Sequence, residues 1–324
     1  MNLGKVGVIF NGGGFTGAFS VGFAKAIWKN GIKPEYIQGV SVGALSGAKL
    51  VESGIEELEK VWLELEQRGA KSIFNWSDAV WNIPRKKSSI FNNHGIVELL
   101  SKADFAKIIN SPTELQIVTT NESKDWEQEI FSNREEKYRD NPTSFKLPVL
   151  ASTAVQGGLP PVMIDNEQHS DGMIFSLEAA AKAGCDTIFL LLNDQAGTKQ
   201  DRWDQRLSMS RHMFYDRNVE YELKDFLRNH KDFDVAETSN LNLEDKNLPP
   251  LIKRMIRAAR SLRSVASSAV QGEDINFVPH RIFPLHTRTP IETLSLFSLS
   301  NGDVKAAIEQ GYDQASVLLD KILK

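Results

Sequence analysis

Tyr36-Ile37-Gln38-Gly39-Val40-Ser41-Val42-Gly43-Ala44-Leu45-Ser46-Gly47-Ala48-Lys49-Leu50 decides how this chain is read. Its first five residues have the length and apolarity of a short buried strand, and those after Gly43 are small and compatible with a helix. The end of that strand runs into a G-x-S-x-G pentapeptide, Gly39 to Gly43. A strand that turns sharply into a helix holds its serine at a strained apex, with the hydroxyl exposed and the helix N-terminus behind it. Gly39 and Gly43 let the backbone turn without Cβ clashes. Ser41 is therefore a candidate nucleophile. The competing explanation is a strand-to-helix turn that merely favours small residues.

Upstream, Lys5-Val6-Gly7-Val8-Ile9-Phe10 reads as a buried strand that runs into Asn11-Gly12-Gly13-Gly14-Phe15-Thr16-Gly17, and Ala18 to Lys29 reads as a helix. Strand, helix, strand, helix over residues 5–54 is the opening of a doubly wound α/β domain. The glycine loop leaves backbone N–H groups free to point at an anion, aided by the helix dipole. In acyl transfer that anion is the tetrahedral oxyanion, and the N–H groups of Gly13 and Gly14, with that of Val42, are the candidate donors. Gly12, Gly14 and Gly17 also fit the G-x-G-x-x-G dinucleotide pattern. That pattern wants an acidic residue near the end of the second strand to hold a ribose; here the strand ends at Ser41, and Glu35 stands at its beginning.

Downstream, Ser170-Asp171-Gly172-Met173 follows a small-residue stretch, Leu147 to Ala154, read as a strand, and Gly157-Gly158-Leu159-Pro160-Pro161-Val162. In order and spacing, the glycine loop, the pentapeptide and the Asp-Gly pair resemble the patatin-like phospholipases. The resemblance covers residues 1 to about 195; beyond them it reduces to Gly311-Tyr312 in a terminal helix. It implies a three-layer α/β/α fold with a mainly parallel central sheet. It also implies a cofactor-independent serine hydrolase of lipid carboxylic esters, in which Asp171 hydrogen-bonds Ser41 directly. Gly12, Gly17, Gly39, Gly43 and Gly172 would be the motif glycines. A small-molecule carboxylesterase and a lipid-binding relative of weak activity are the alternatives. Two residues depart from the family pattern: Thr16 stands where Arg or Lys is usual, and Gln156 where Pro is usual. The first departure removes a cation near the oxyanion loop; neither removes a catalytic group.

A carboxylate of ordinary pKa, about 4, is a poor base for a hydroxyl but is always ionised at neutral pH, so positioning and oxyanion donors must carry most of the acceleration. In the usual triad a histidine does the proton work. Of the six histidines (His94, His169, His212, His230, His280 and His286) none sits in a motif that places it. His169, two residues before Asp171 and on the same side of a strand, is the one to test as a relay. Asp-Gly by itself is also a common turn. Asp165, Glu167, His169 and Asp171 alternate, but one strand and turn rarely supplies a whole coordination sphere. No His or Cys pair occurs at ligand spacing, so neither metal nor cofactor is expected.

At 324 residues and 41% hydrophobic content the chain can bury a large core, and residues 1–324 read as a single domain. A net charge of −4 does not suit a nucleic-acid binder. The single cysteine, Cys185, excludes an internal disulfide and reads as a small buried hydrophobe. The first residues enter a strand without a signal-peptide core, and no apolar run of about 18 residues occurs. The expectation is a cytoplasmic protein whose substrate is a lipid ester and whose membrane contact is peripheral. No pattern bears on oligomeric state.

Residues 55–68 read as an amphipathic helix. Residues 69–93 hold Phe74, Trp76, Trp81 and Phe91 in a polar, turn-rich context with Arg85-Lys86-Lys87, and read as a loop excursion near the active-site face or as ordinary surface packing. Leu115 to Thr120, Gln128 to Phe131, Lys146 to Ser152, Thr187 to Leu192 and His280 to His286 read as strands, and Asp303 to Leu323 as a closing helix. Residues 196–278 are largely helical and charged, a candidate lid or membrane-facing insertion, with 202–230 helical and 232–248 a polar loop. Within them Leu251, Ile252, Met255, Ile256, Ala259, Leu262 and Ala266 share a helix face, with Lys253, Arg254, Arg257 and Arg260 pointing away. That pattern suits a helix on an anionic bilayer or a core-docked helix with a basic outer face.

Overall fold

A computed structural model describes residues 2–82, 84–85, 88–193, 218–230, 232–235, 280–287, 291, 293–295 and 297–323. Among the described residues nine strands form one mixed sheet: β1 (Val6–Phe10), β2 (Tyr36–Val40), β3 (Glu114–Asn121), β4 (Glu127–Ser132), β5 (Val162–Ile164), β6 (Glu167–Asp171), β7 (Thr187–Leu192), β8 (Phe233–Val235) and β9 (His280–His286). The order runs β5-β6-β3-β2-β1-β7-β9-β8, with β4 paired to β3. Pairing is parallel from β3 through β2, β1, β7 and β9 to β8, and antiparallel where β4, β5 and β6 join.

Strands buried on both faces read as continuous apolar runs because successive side chains enter different cores. Val8, Phe10, Phe189 and Leu191 join one core; Ile9, Ile188, Leu190 and Leu192 join the other. The first core is closed by α1 (Ala18–Lys29), α2 (Val42–Ser53), α3 (Ile55–Arg68) and a terminal helix, Asp303–Ile322. Gly311 of that terminal helix packs against Phe19 O of α1. The second core is closed by Leu177 and Ala180, on a short helix over Leu177–Lys182, and by Val219, Leu223 and Phe226 in helical residues 218–229. The result is three layers, helices on both faces of a sheet that is parallel in the middle.

The readings for β1, β2, α1, α3, β4, β7, β9 and the terminal helix agree with these elements. Lys146 to Ser152 does not: it is a helix entered through a tight turn at Pro142–Phe145. Pro148 falls in its first turn, where N–H groups have no helical partner and a proline costs nothing. Pro148 through Ser152 are all buried, and a short helix buried all round has no periodicity to separate it from a strand. The polar stretch 232–248 contains β8, and the excursion contains a one-turn-and-more helix, α4 (Trp76–Asn82). The proposed basic helix at 251–271, and most of the candidate insertion at 196–278, lie outside the described residues.

Candidate active site

Ser41 sits at the junction of β2 and α2 with φ 57° and ψ −128°, a left-handed conformation costly for a residue with a Cβ. The turn is forced by close packing. A Cβ on Gly43 would collide with Phe10 O, and one on Gly39 would lie 2.6 Å from Ala44 Cα. Ser41 N–H donates to Ser152 Oγ (2.9 Å), whose hydroxyl donates to Val118 O (2.6 Å). The serine backbone is thereby tied through the helix at 146–152 to β3.

Strand pairing brings Asp171 to the same place. Val118 pairs with Val40 of β2 and with Ile130 of β4, and Thr119 pairs with Asp171 of β6 and with Glu129 of β4. A strand has two edges, and β4 occupies one of them across both positions. Hence β2 and β6 share the other: β2 leaves it after Val40 to turn into Ser41, and Asp171 takes the next pairing position, one strand step of about 3.4 Å further on. Gly172 then packs on Val118 O so closely that a Cβ would collide with it. Thr120 Oγ1 (2.9 Å) and Gln156 Nε2 (2.9 Å) both donate to Asp171 O, and Asp171 Oδ1 accepts the Met173 N–H (2.9 Å). Among the described residues, Ser41 Oγ and Asp171 share no hydrogen bond. Ser41 and Asp171 are both buried, at 7% exposure each.

The glycine loop lies alongside. A Cβ on Gly12 would touch Ser41 Cβ at 3.1 Å, and Gly17 faces Val42 Cγ1. Gly13 has φ 141° and Gly14 φ 59°, and the backbone N–H groups of Gly13, Gly14 and Val42 donate to no described residue. For Val42 that follows from its place at the start of α2, where N–H groups lack a helical partner.

Four supporting residues escaped the sequence reading. Asn193, buried beyond the end of β7, donates from Nδ2 to Asn11 O (3.0 Å) and Gly12 O (3.1 Å) and accepts from Ser20 Oγ (2.6 Å). Ser152 was hidden in a segment read as a strand. Thr16 and Gln156, noticed only as departures from the family pattern, each fasten the loops: Thr16 Oγ1 donates to Gly13 O (2.7 Å), and Gln156 Nε2 to Ser170 Oγ (2.9 Å) as well as Asp171 O. No local signal marks Asn193 or Ser152, because their partners are about 180 and 111 positions away.

His169, two residues before Asp171 on β6, makes its contacts with β3 and β4. Its Nδ1 lies 3.2 Å from Thr119 Oγ1, its Nε2 lies 3.9 Å from Glu129 Oε2, and its ring meets Phe131 edge-on. Burial holds it below its ordinary pKa, with Glu129 and Glu167 pulling the other way. Glu129, Glu167 and His169 are a group of described residues whose ligand atoms lie close enough to hold a cation. The Asn121 Nδ2 amide already donates to both carboxylates (2.9 and 2.7 Å), and Lys124 Nζ pairs with Glu167 at 2.8 Å, so these oxygens have protein donors. Cys185 is buried and its thiol pKa is pushed up to about 12 by that burial, which leaves it an inert hydrophobe.

The profile of patatin-like phospholipases matches residues 8–177, which spans the glycine loop, the Ser41 elbow and Asp171-Gly172. The chain belongs to the patatin-like phospholipase family. Members of this family are lipid acyl hydrolases. Among solved structures, the patatin-like chain is similar to the crystal structure of VipD from Legionella pneumophila, at 15% identity and a TM-score of 0.45, over 99% of this chain and 67% of that one. No curated protein matches it. Among its described residues no helix is long and apolar enough to cross a membrane.

Proposed function

We propose that this patatin-like protein cleaves carboxylic ester bonds of lipids through a Ser41–Asp171 dyad. The observation that carries the proposal is the shared edge of β3: Val40, which leads directly into the strained Ser41, and Asp171 occupy successive positions there, beside a loop whose Gly13 and Gly14 N–H groups donate to no described residue. In the reaction Asp171 takes the Ser41 proton as Oγ attacks the ester carbonyl carbon. The carbonyl oxygen becomes an alkoxide held by N–H groups of Gly13, Gly14 and Val42. Collapse breaks the bond to the leaving alcohol, which takes the proton from Asp171, and leaves an acyl-serine. Water, deprotonated by Asp171, then releases the fatty acid and restores Ser41. Residues 1–324 act as one catalytic unit in this reading.

A fluorophosphonate probe should label the wild-type protein on Ser41 and leave Ser41→Ala unlabelled. A folded wild-type protein that takes no label would favour a lipid-binding role. Turnover of short nitrophenyl esters with none of phospholipids, lysolipids or acylglycerols would make the protein a small-molecule carboxylesterase.

Asn193 gives a second test. It holds the carbonyls of Asn11 and Gly12, not the substrate, so Asn193→Ala should lower kcat on the order of tenfold while KM changes little. The slowed labelling by fluorophosphonate should match the loss in kcat. A rise in KM at unchanged kcat would place Asn193 in substrate binding instead.

A further inference from the structure

The excursion at residues 69–93 carries an apolar patch that packing does not explain. Val80 and Trp81 of α4 are 69% and 61% exposed. The segment around them is well tied: Asn92 N–H donates to Asp78 Oδ2 (3.1 Å), and Asn82 Nδ2 donates to Ile90 O (3.2 Å). It is also fastened to both loops of the candidate site. Phe74 meets Phe15 of the glycine loop edge-on, with centroids 5.8 Å apart. The N–H groups of Ile90 and Phe91 donate to Gly157 O (3.1 Å) and Gly158 O (2.8 Å), next to Gln156, whose side chain holds Asp171 O. α4 thus lies in sequence between an attachment to the glycine loop and one to the turn beside Gln156.

Charge is distributed in keeping with that position. Residues 75–90 hold three basic side chains, Arg85, Lys86 and Lys87, and one acid, Asp78, in a chain of net charge −4. The Asp78 carboxylate is turned to the Asn92 N–H. The Arg85 guanidinium lies 4.8 Å from the Trp81 ring centroid and donates to Trp81 O (3.2 Å), so indole and cation form one group. Tryptophan favours the boundary between water and acyl chains, being a large apolar ring with one N–H donor. A basic residue beside it meets the phosphates of anionic headgroups.

We propose that Val80, Trp81 and Arg85 seat this protein on an anionic lipid bilayer, bringing the rim of the Ser41–Asp171 site to the lipid. The purpose of the contact rests on the lipid-hydrolase reading; the contact itself does not require catalysis. Ser41→Ala protein, which turns nothing over, is co-sedimented with vesicles of phosphatidylcholine plus phosphatidylserine, and with phosphatidylcholine alone. Binding should favour the anionic vesicles. Adding Trp81→Ala should weaken it on the order of tenfold, and adding Arg85→Gln roughly fivefold. High salt should erase the arginine effect and spare most of the tryptophan effect. Thermal unfolding should be unchanged in both variants, because the side chains are exposed. Anionic-vesicle binding that survives Trp81→Ala overturns the proposal, as does failure of the parent to bind either vesicle. Loss of a concentration-dependent self-association by Trp81→Ala, with vesicle binding intact, would make this face a contact between copies and also overturn it. Vesicle binding by a wild-type protein that hydrolyses no ester would refute the hydrolase and leave the docking site standing.

Discussion

Ester turnover is expected to fall by roughly four orders of magnitude when Ser41 becomes alanine, and by a comparable factor when Asp171 becomes asparagine. The two losses should not add in the double variant, because the groups act as one unit. Asparagine keeps the shape of Asp171 and its contact with the Met173 N–H, so the loss would report the missing base and not a rearranged loop. Steady-state rates at equal folded concentration measure it. The elbow offers an independent check through stability. Ser41 is held at φ 57°, where a Cβ costs about 1–3 kcal/mol. Ser41→Gly should therefore be as inactive as Ser41→Ala yet unfold at a higher temperature. An inactive variant that is more stable than wild type identifies strain kept for function; equal stability of the glycine and alanine variants would mean that the turn is unstrained. His169→Ala should keep a substantial share of activity, since its nitrogens face Thr119 and Glu129. A loss as large as that of Ser41→Ala in a folded His169→Ala protein would replace the dyad with a triad.

Gly13→Val should slow the chemical step a hundredfold or more, comparable to losing one oxyanion donor at about 2.7–4 kcal/mol. The physical reason is twofold. At φ 141° the backbone of Gly13 is closed to side chains with a Cβ. A Cβ there would also collide with Thr16 Oγ1 and stand 3.1 Å from Asn193 Cβ. The loop must therefore shift, and its N–H groups swing off the position of the alkoxide. KM for a lipid ester should change far less than kcat, because the ground-state carbonyl does not need those donors. Wild-type kcat in a folded Gly13→Val protein would remove the loop from the mechanism.

Much of this was local enough to read in one dimension. The strand-loop-helix at 5–29 and the strand-elbow-helix at 36–53 announce themselves through apolar runs broken by glycines, since turn geometry is set by a handful of adjacent residues. The helix at 55–68 shows its period. Where locality failed, the reading failed with it. Lys146 to Ser152 looked like a strand because a helix buried on every side offers no amphipathic pattern, and only packing decides between the two.

By itself the sequence determined the α/β class, the family, and a short list of groups able to do acyl chemistry: Ser41, Asp171 and the glycine loop. It could not say that the elements carrying them are neighbours, since 130 positions separate the serine from the aspartate and Asp-Gly is a common turn anywhere. Tertiary structure decided that. Because β4 covers one edge of β3, β2 and β6 must follow one another along the other, and the end of one becomes the neighbour of the end of the next. The same long-range packing recruited Ser152, Gln156 and Asn193 to hold the loops, and it left Trp81 facing outward. Such contacts depend on which edge a strand occupies and which face a helix buries, quantities fixed by the whole fold and written in no single stretch of chain.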